Sequence, residues 1–238
     1  LLAVCLFCSW VPVIALSFVS AVFLKVYPVL LFPILIAKYG WRFLLYFVVF
    51  SALLCFLFWN QLLQYVPNLI GRVGFAGLEE NIAPHALFFV AFSFLNEVLP
   101  EWSWGWVKNG FYVFAIIYLL INLYFDFKMY KKNMLTNNFH LASAAYLPAM
   151  LFFPNQVFTY SGIILFLVFV ILETYAVQVK ELKAENILPL AQVGTMFGAS
   201  AYKSVTDNLN FHAIAPFCLV VISVYILLIK RKVFLKAY

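Results

Sequence analysis

Charge is what this chain has least of. Only 10% of its 238 residues are Asp, Glu, Lys or Arg, against 66% hydrophobic, where a soluble domain carries roughly a quarter charged. With a mean hydropathy of +1.01, no globule in water can cover so much apolar surface, which excludes an ordinary soluble fold. There is no P-loop, no Gly-x-Gly-x-x-Gly, no His-Glu-x-x-His and no Gly-x-Ser-x-Gly, so the chain lacks the phosphate cradle that nucleotide hydrolysis needs. Cys5, Cys8, Cys55 and Cys218 fall inside apolar runs without paired ligand spacing and read as small packing residues. His140 and His212 likewise have no partner at metal-ligand spacing. The chain opens at Leu1 with neither a methionine nor a charged leader, which reads as the interior of a longer protein, this being its C-terminal portion. Internal repeats, low-complexity stretches and a second soluble domain are absent.

What is present is a series of long apolar runs without alternation, such as residues 43–59 and 211–229. A helix needs about 20 apolar residues to cross a hydrocarbon core about 30 Å thick, and only helices and closed barrels satisfy their backbone there. The expectation is an all-α, polytopic transmembrane helical bundle, one domain over 1–238 with about eight hydrophobic segments, some kinked or re-entrant. Residues 1–9 end one helix, and 13–37 form a second, kinked near Pro28 because an interior proline removes a donor and clashes with the preceding turn. A turn follows at Gly40. Further spans are expected at 43–59, 111–125, 141–153, 157–179, 187–202 and 211–229. The stretch 60–110 is expected to be an external or lumenal loop region. Within it 86–99 is interfacial or re-entrant, and Trp102, Trp104 and Trp106 form an interface belt.

The net charge of +6 follows topology rather than nucleic acid. With 86–99 not crossing, Lys38/Arg42, Lys128/Lys131/Lys132, Lys180/Lys183 and Lys230/Arg231/Lys232/Lys236 share one side, eleven of the fifteen Lys and Arg residues. That side is then cytoplasmic. Glu79, Glu80, Glu97, Glu101 and Asp207 fall on the opposite face. The membrane is a bacterial inner or plasma membrane, or that of the endoplasmic reticulum.

Lys25 lies midway along 13–37, where an ionisable side chain is costly and is by default a functional candidate. An ammonium in low dielectric attracts a phosphate, a helix broken beside a proline frees backbone donors, and Tyr27 can add a hydroxyl. A purely structural alternative is that Lys25 snorkels, or that the helix ends near residue 24.

The segment Phe23-Leu24-Lys25-Val26-Tyr27-Pro28, then Leu30-Leu31-Phe32-Pro33 and a basic turn at 38–42, resembles a stretch of the polytopic GT-C glycosyltransferases. It is most similar to the α-mannosyltransferases that carry Lys-x-x-Pro in an apolar segment. The resemblance covers about twenty residues, with the rest alike only in layout. It implies transfer of a sugar, such as mannose, from a polyprenyl- or dolichyl-phosphate donor to a glycan, lipid or protein acceptor on the external face. It places Lys25, Tyr27 and Pro28 at the donor phosphate. The family's catalytic aspartate lies in a lumenal loop before this segment, upstream of Leu1.

Among the residues present, Glu79 and Glu80 are the acidic candidates for general-base work or for a divalent cation, though adjacent acids in a polar loop are also simply solvated. Arg72 can pair a phosphate and His85 can move a proton. Gln156 can bond a sugar hydroxyl, or Pro154-Asn155-Gln156 is a plain helix-hairpin turn. No resident metal and no other cofactor is assigned. Two further classes fit the same runs: a transporter or lipid flippase, which should show inverted repeats, and a non-catalytic subunit of a membrane complex.

Overall fold

A computed structural model describes residues 1–64, 102–152, 164, 167–168, 170–172 and 210–236. Among these every regular element is helical and no strand occurs. The chain divides into two compact units, Leu1–Phe75 and Ala76–Tyr238.

In the first unit α1 (Leu2–Phe7) stops at Cys8, and α2 (Val11–Leu24) starts with Pro12 in its first turn, where the missing N–H costs nothing. The helix ends at Leu24, and Lys25 is extended (φ −153°, ψ 127°). The expected kink is thus a full break three residues before Pro28. The reason is the proline's reach: its ring crowds the carbonyl four residues back, which is that of Leu24. A 3-10 turn, Tyr27–Leu31, leads into α3 (Phe32–Leu57). Gly40 interrupts α3 with φ 64° and ψ −149°, a region essentially reserved for glycine, so the expected turn is present. Phe18 gathers Phe32, Phe43 and Phe47 at ring distances of 5.7 to 6.1 Å. Each such pair contributes about 0.5–1.5 kcal/mol beyond buried area, and together they hold both halves of α3 against α2.

In the second unit α4 (Trp102–Lys131) contains the expected 111–125 span and runs on through nine residues assigned to the external loop. Residues 60–64 at the other end of that loop are helical as well. The C-terminus of α4 closes in a Schellman motif: Met134 N–H bonds Met129 O (2.9 Å), Asn133 N–H bonds Tyr130 O (3.0 Å), and Asn133 takes φ 56°. The expected span at 141–153 is divided into α5 (Phe139–Ala144) and α6 (Tyr146–Phe152). Pro148 again ends the helix four residues upstream, at Ala144. With Ala145 between them, the 14 residues of Phe139–Phe152 reach about 21 Å. α7 (Asn210–Lys236) contains the expected span at 211–229 and packs on α4, α5 and α6. Residues 164, 167–168 and 170–172 are helical, within the span expected at 157–179. Residues 86–99 and 187–202 lie outside the described residues.

Among the described residues two helical stretches are long and apolar enough to cross a membrane, Tyr27–Leu57 and Asn109–Lys131. The α4 helix is patterned inside out. Ala115, Tyr118, Asn122, Asp126 and Met129, at steps of three and four, are buried, while Val113, Ile117, Leu120, Tyr124 and Phe127 are exposed. α7 buries Ser223 and Lys230 together with Leu219, Ile222, Ile226 and Ile229, and exposes Val221, Val224 and Leu228. The exposed apolar faces of both helices suit a lipid surround better than water.

Candidate functional site

Lys25 caps the C-terminal end of α2, its backbone N–H on the Ala21 carbonyl at 2.9 Å. A cation is favourable there because the last carbonyls of a helix carry partial negative charge. The side chain is half-buried, with Nζ 5.5 Å from the centre of the Tyr27 ring. The Tyr27 hydroxyl is itself buried and has no hydrogen-bond partner. Beside this break lies an apolar groove of about 470 Å3, lined by Ser20, Phe23 and Leu24 of α2, by Leu54 of α3, and by Phe58, Gln61 and Leu62 beyond it. The first unit thus brings Lys25 and Tyr27 together next to a groove. At the opposite end of α2, the Tyr39 hydroxyl approaches the Cys8 carbonyl at 3.5 Å, which sets the Gly40 turn beside the start of α2.

Arg72, Glu79, Glu80, His85 and Gln156 lie outside the described residues, and so does Glu173. Among the described residues no group of three His, Cys, Asp or Glu is placed to hold a metal ion.

The second unit contains a polar centre that the sequence pattern did not announce. Lys230, fully buried, donates to Asp126 Oδ1 at 2.8 Å, and the Tyr146 hydroxyl donates to Asp126 Oδ2 at 2.7 Å. Lys230 also faces the Tyr146 ring at 5.6 Å. One turn away, Asn122 returns its amide N–H to the Tyr118 carbonyl (2.8 Å), and Ser223 bonds the Leu219 carbonyl (2.8 Å). The Tyr118 hydroxyl, Asn122 Oδ1 and Ser143 Oγ are buried without a partner. Three helices therefore meet on one ion pair. Lys230, expected in a cytoplasmic loop, is instead helical and interior, because α7 runs on to Lys236. Asp126 falls one residue past the span expected at 111–125. The available signal was the stripe Tyr118, Asn122, Asp126 at steps of four, which puts all three on one face of a helix.

Compared with protein-family models, curated proteins and solved structures, the chain finds no match.

Proposed function

We propose that this chain is the membrane part of a GT-C-type glycosyltransferase that uses a polyprenyl-phosphate-linked sugar, mannose in the first instance. The reading is carried by one arrangement: a half-buried lysine at a helix break, next to a buried unpartnered hydroxyl and an apolar groove of about 470 Å3. The ammonium and the Tyr27 hydroxyl are the chemistry a phosphate takes, and the groove's walls are the chemistry an isoprenoid tail takes. Depth supports it too. The 14 residues of α2 span about 21 Å, so Lys25 stands some two-thirds of the way across a core about 30 Å thick, on the side away from Lys38 and Arg42. In this reading the chain has about eight hydrophobic segments, residues 11–39 entering and returning on the side of Lys38 and Arg42, and its Lys/Arg-rich ends are cytoplasmic. Transfer takes place at the external or lumenal face, for which Arg72, Glu79, Glu80, His85 and Gln156 are the candidates the sequence offers. Glu79 and Glu80 are the candidates for the general base.

The test is transfer of radiolabelled mannose from a polyprenyl-phosphate donor by the full-length protein in vesicles. Lys25→Met is expected to lower transfer by about a hundredfold or more, the scale of losing a preorganised charge contact in a low-dielectric site, while insertion stays at the wild-type level. Unchanged transfer by the inserted variant removes the central residue of the proposal.

A further inference from the structure

The last turns of α7 carry a feature that neither sugar transfer nor the Asp126 pair uses. Leu228, Arg231, Lys232 and Leu235 line a shallow depression of about 380 Å3, and all four are exposed. Lys230 and Phe234 turn toward α4, where they meet Asp126 and Phe125. At 100° per residue the depression faces roughly 130° away from that contact. Val221 and Val224 precede it on the same side of the helix and are 58% and 42% exposed. The stripe 221, 224, 228, 231/232, 235 is thus an apolar track that ends in two cations.

Charge balance identifies what completes it. Lys128 and Lys131 stand in the last turn of α4, so both helices end in basic residues at the level of the Asp126–Lys230 pair. Among the described residues Asp126 is the only carboxylate side chain, and both its oxygens are already taken by Lys230 and Tyr146. Among those residues, then, the protein offers Arg231 and Lys232 no anion of its own. With α7 across a membrane, Val221, Val224 and Leu228 would face acyl chains and the two cations would fall at headgroup level.

We infer that this face of α7 binds an anionic phospholipid, its acyl chain along Val221, Val224 and Leu228 and its phosphodiester on Arg231 and Lys232. The planar guanidinium takes two phosphate oxygens at once, and the ammonium adds a point charge. Basic pockets at the cytoplasmic ends of membrane helices are suited to such headgroups. The site requires that α7 span a membrane, and it is independent of the sugar-transfer reading.

The full chain, purified in detergent, is titrated with phosphatidylglycerol, with phosphatidylcholine of the same acyl chains, and with inorganic phosphate, and bound adducts are counted by native mass spectrometry. Phosphatidylglycerol is expected to be retained in preference to phosphatidylcholine. The Arg231→Gln/Lys232→Gln variant should bind it about ten- to thirtyfold more weakly, since each basic residue near an anionic headgroup is worth about fivefold. Lys128→Gln/Lys131→Gln, which removes the same charge from α4, should weaken it by less than about a third as much. Equal losses in the two variants mean a diffuse basic field and overturn the site. So does the absence of any preference for phosphatidylglycerol, or displacement of that lipid by inorganic phosphate at equal concentration. Flotation of each variant with vesicles, at the wild-type level, shows that the protein still inserts.

Discussion

Asp126 is a carboxylate whose two oxygens are each assigned to one donor, Lys230 at 2.8 Å and Tyr146 at 2.7 Å. Removing one member of such a pair leaves a buried charge without compensation, which costs about 3–5 kcal/mol, whereas removing both can be nearly neutral. Asp126→Leu and Lys230→Met are therefore each expected to lower stability by about that amount. The Asp126→Leu/Lys230→Met double variant should recover most of it. Thermal unfolding in detergent measures the cycle, and additive losses would mean that the two side chains do not depend on each other. Lys25 is a different kind of charge. It stands half-buried at a helix end, so its substitution is expected to act on ligand binding rather than on folding. Lys25 was legible in the sequence as an isolated lysine within an apolar run. The partner of Lys230 was not, because it lies 104 positions away and nothing local ties a cation in one helix to an acid in another.

At the scale of the element, proline and glycine place the breaks. Pro28 and Pro148 each end a helix four residues earlier, at Leu24 and at Ala144, because the crowded carbonyl, not the proline itself, is where the ladder fails. This is why the sequence signal for a kink was sound while its position was displaced. It is also why residues 141–153 read as one span and fold as two short helices. Gly40 was legible as a turn from the flanking Lys38 and Arg42, though not as a left-handed residue. A Cβ at Gly40 meets nothing within 4 Å, and the same is true at Gly110 inside α4, so backbone conformation alone separates the two. Gly40→Ala is expected to destabilise by about 1–3 kcal/mol. Gly110→Ala should stabilise by up to about 1 kcal/mol. The comparison is read from the same unfolding experiment, and a loss of similar size in both would discount the Gly40 backbone.

At the scale of the molecule, the helical class followed from composition. The polar stripe buried on α4 did not, because it shows only when the positions of one helix are followed around a wheel. Exposed Ile117, Leu120 and Phe127 opposite buried Asn122 and Asp126 is the arrangement a lipid solvent imposes. The proposed threading has a direct test. On a background without cysteine, Glu79→Cys should react with a membrane-impermeant thiol reagent from the external side, and Lys128→Cys only after the membrane is opened. Labelling of both from one side would require a different number of crossings.

The ion pair between α4 and α7 also has a consequence for biogenesis. The helix that carries Asp126 is synthesised 104 residues before the lysine that neutralises it. For that interval the carboxylate is without its partner, at a cost below the roughly 3 kcal/mol of a carboxylate at a helix centre, because Asp126 stands near the C-terminal end of its helix beside Lys128 and Lys131. The arrival of Lys230 then supplies the missing cation, so the closing of the second unit is recorded in a single contact.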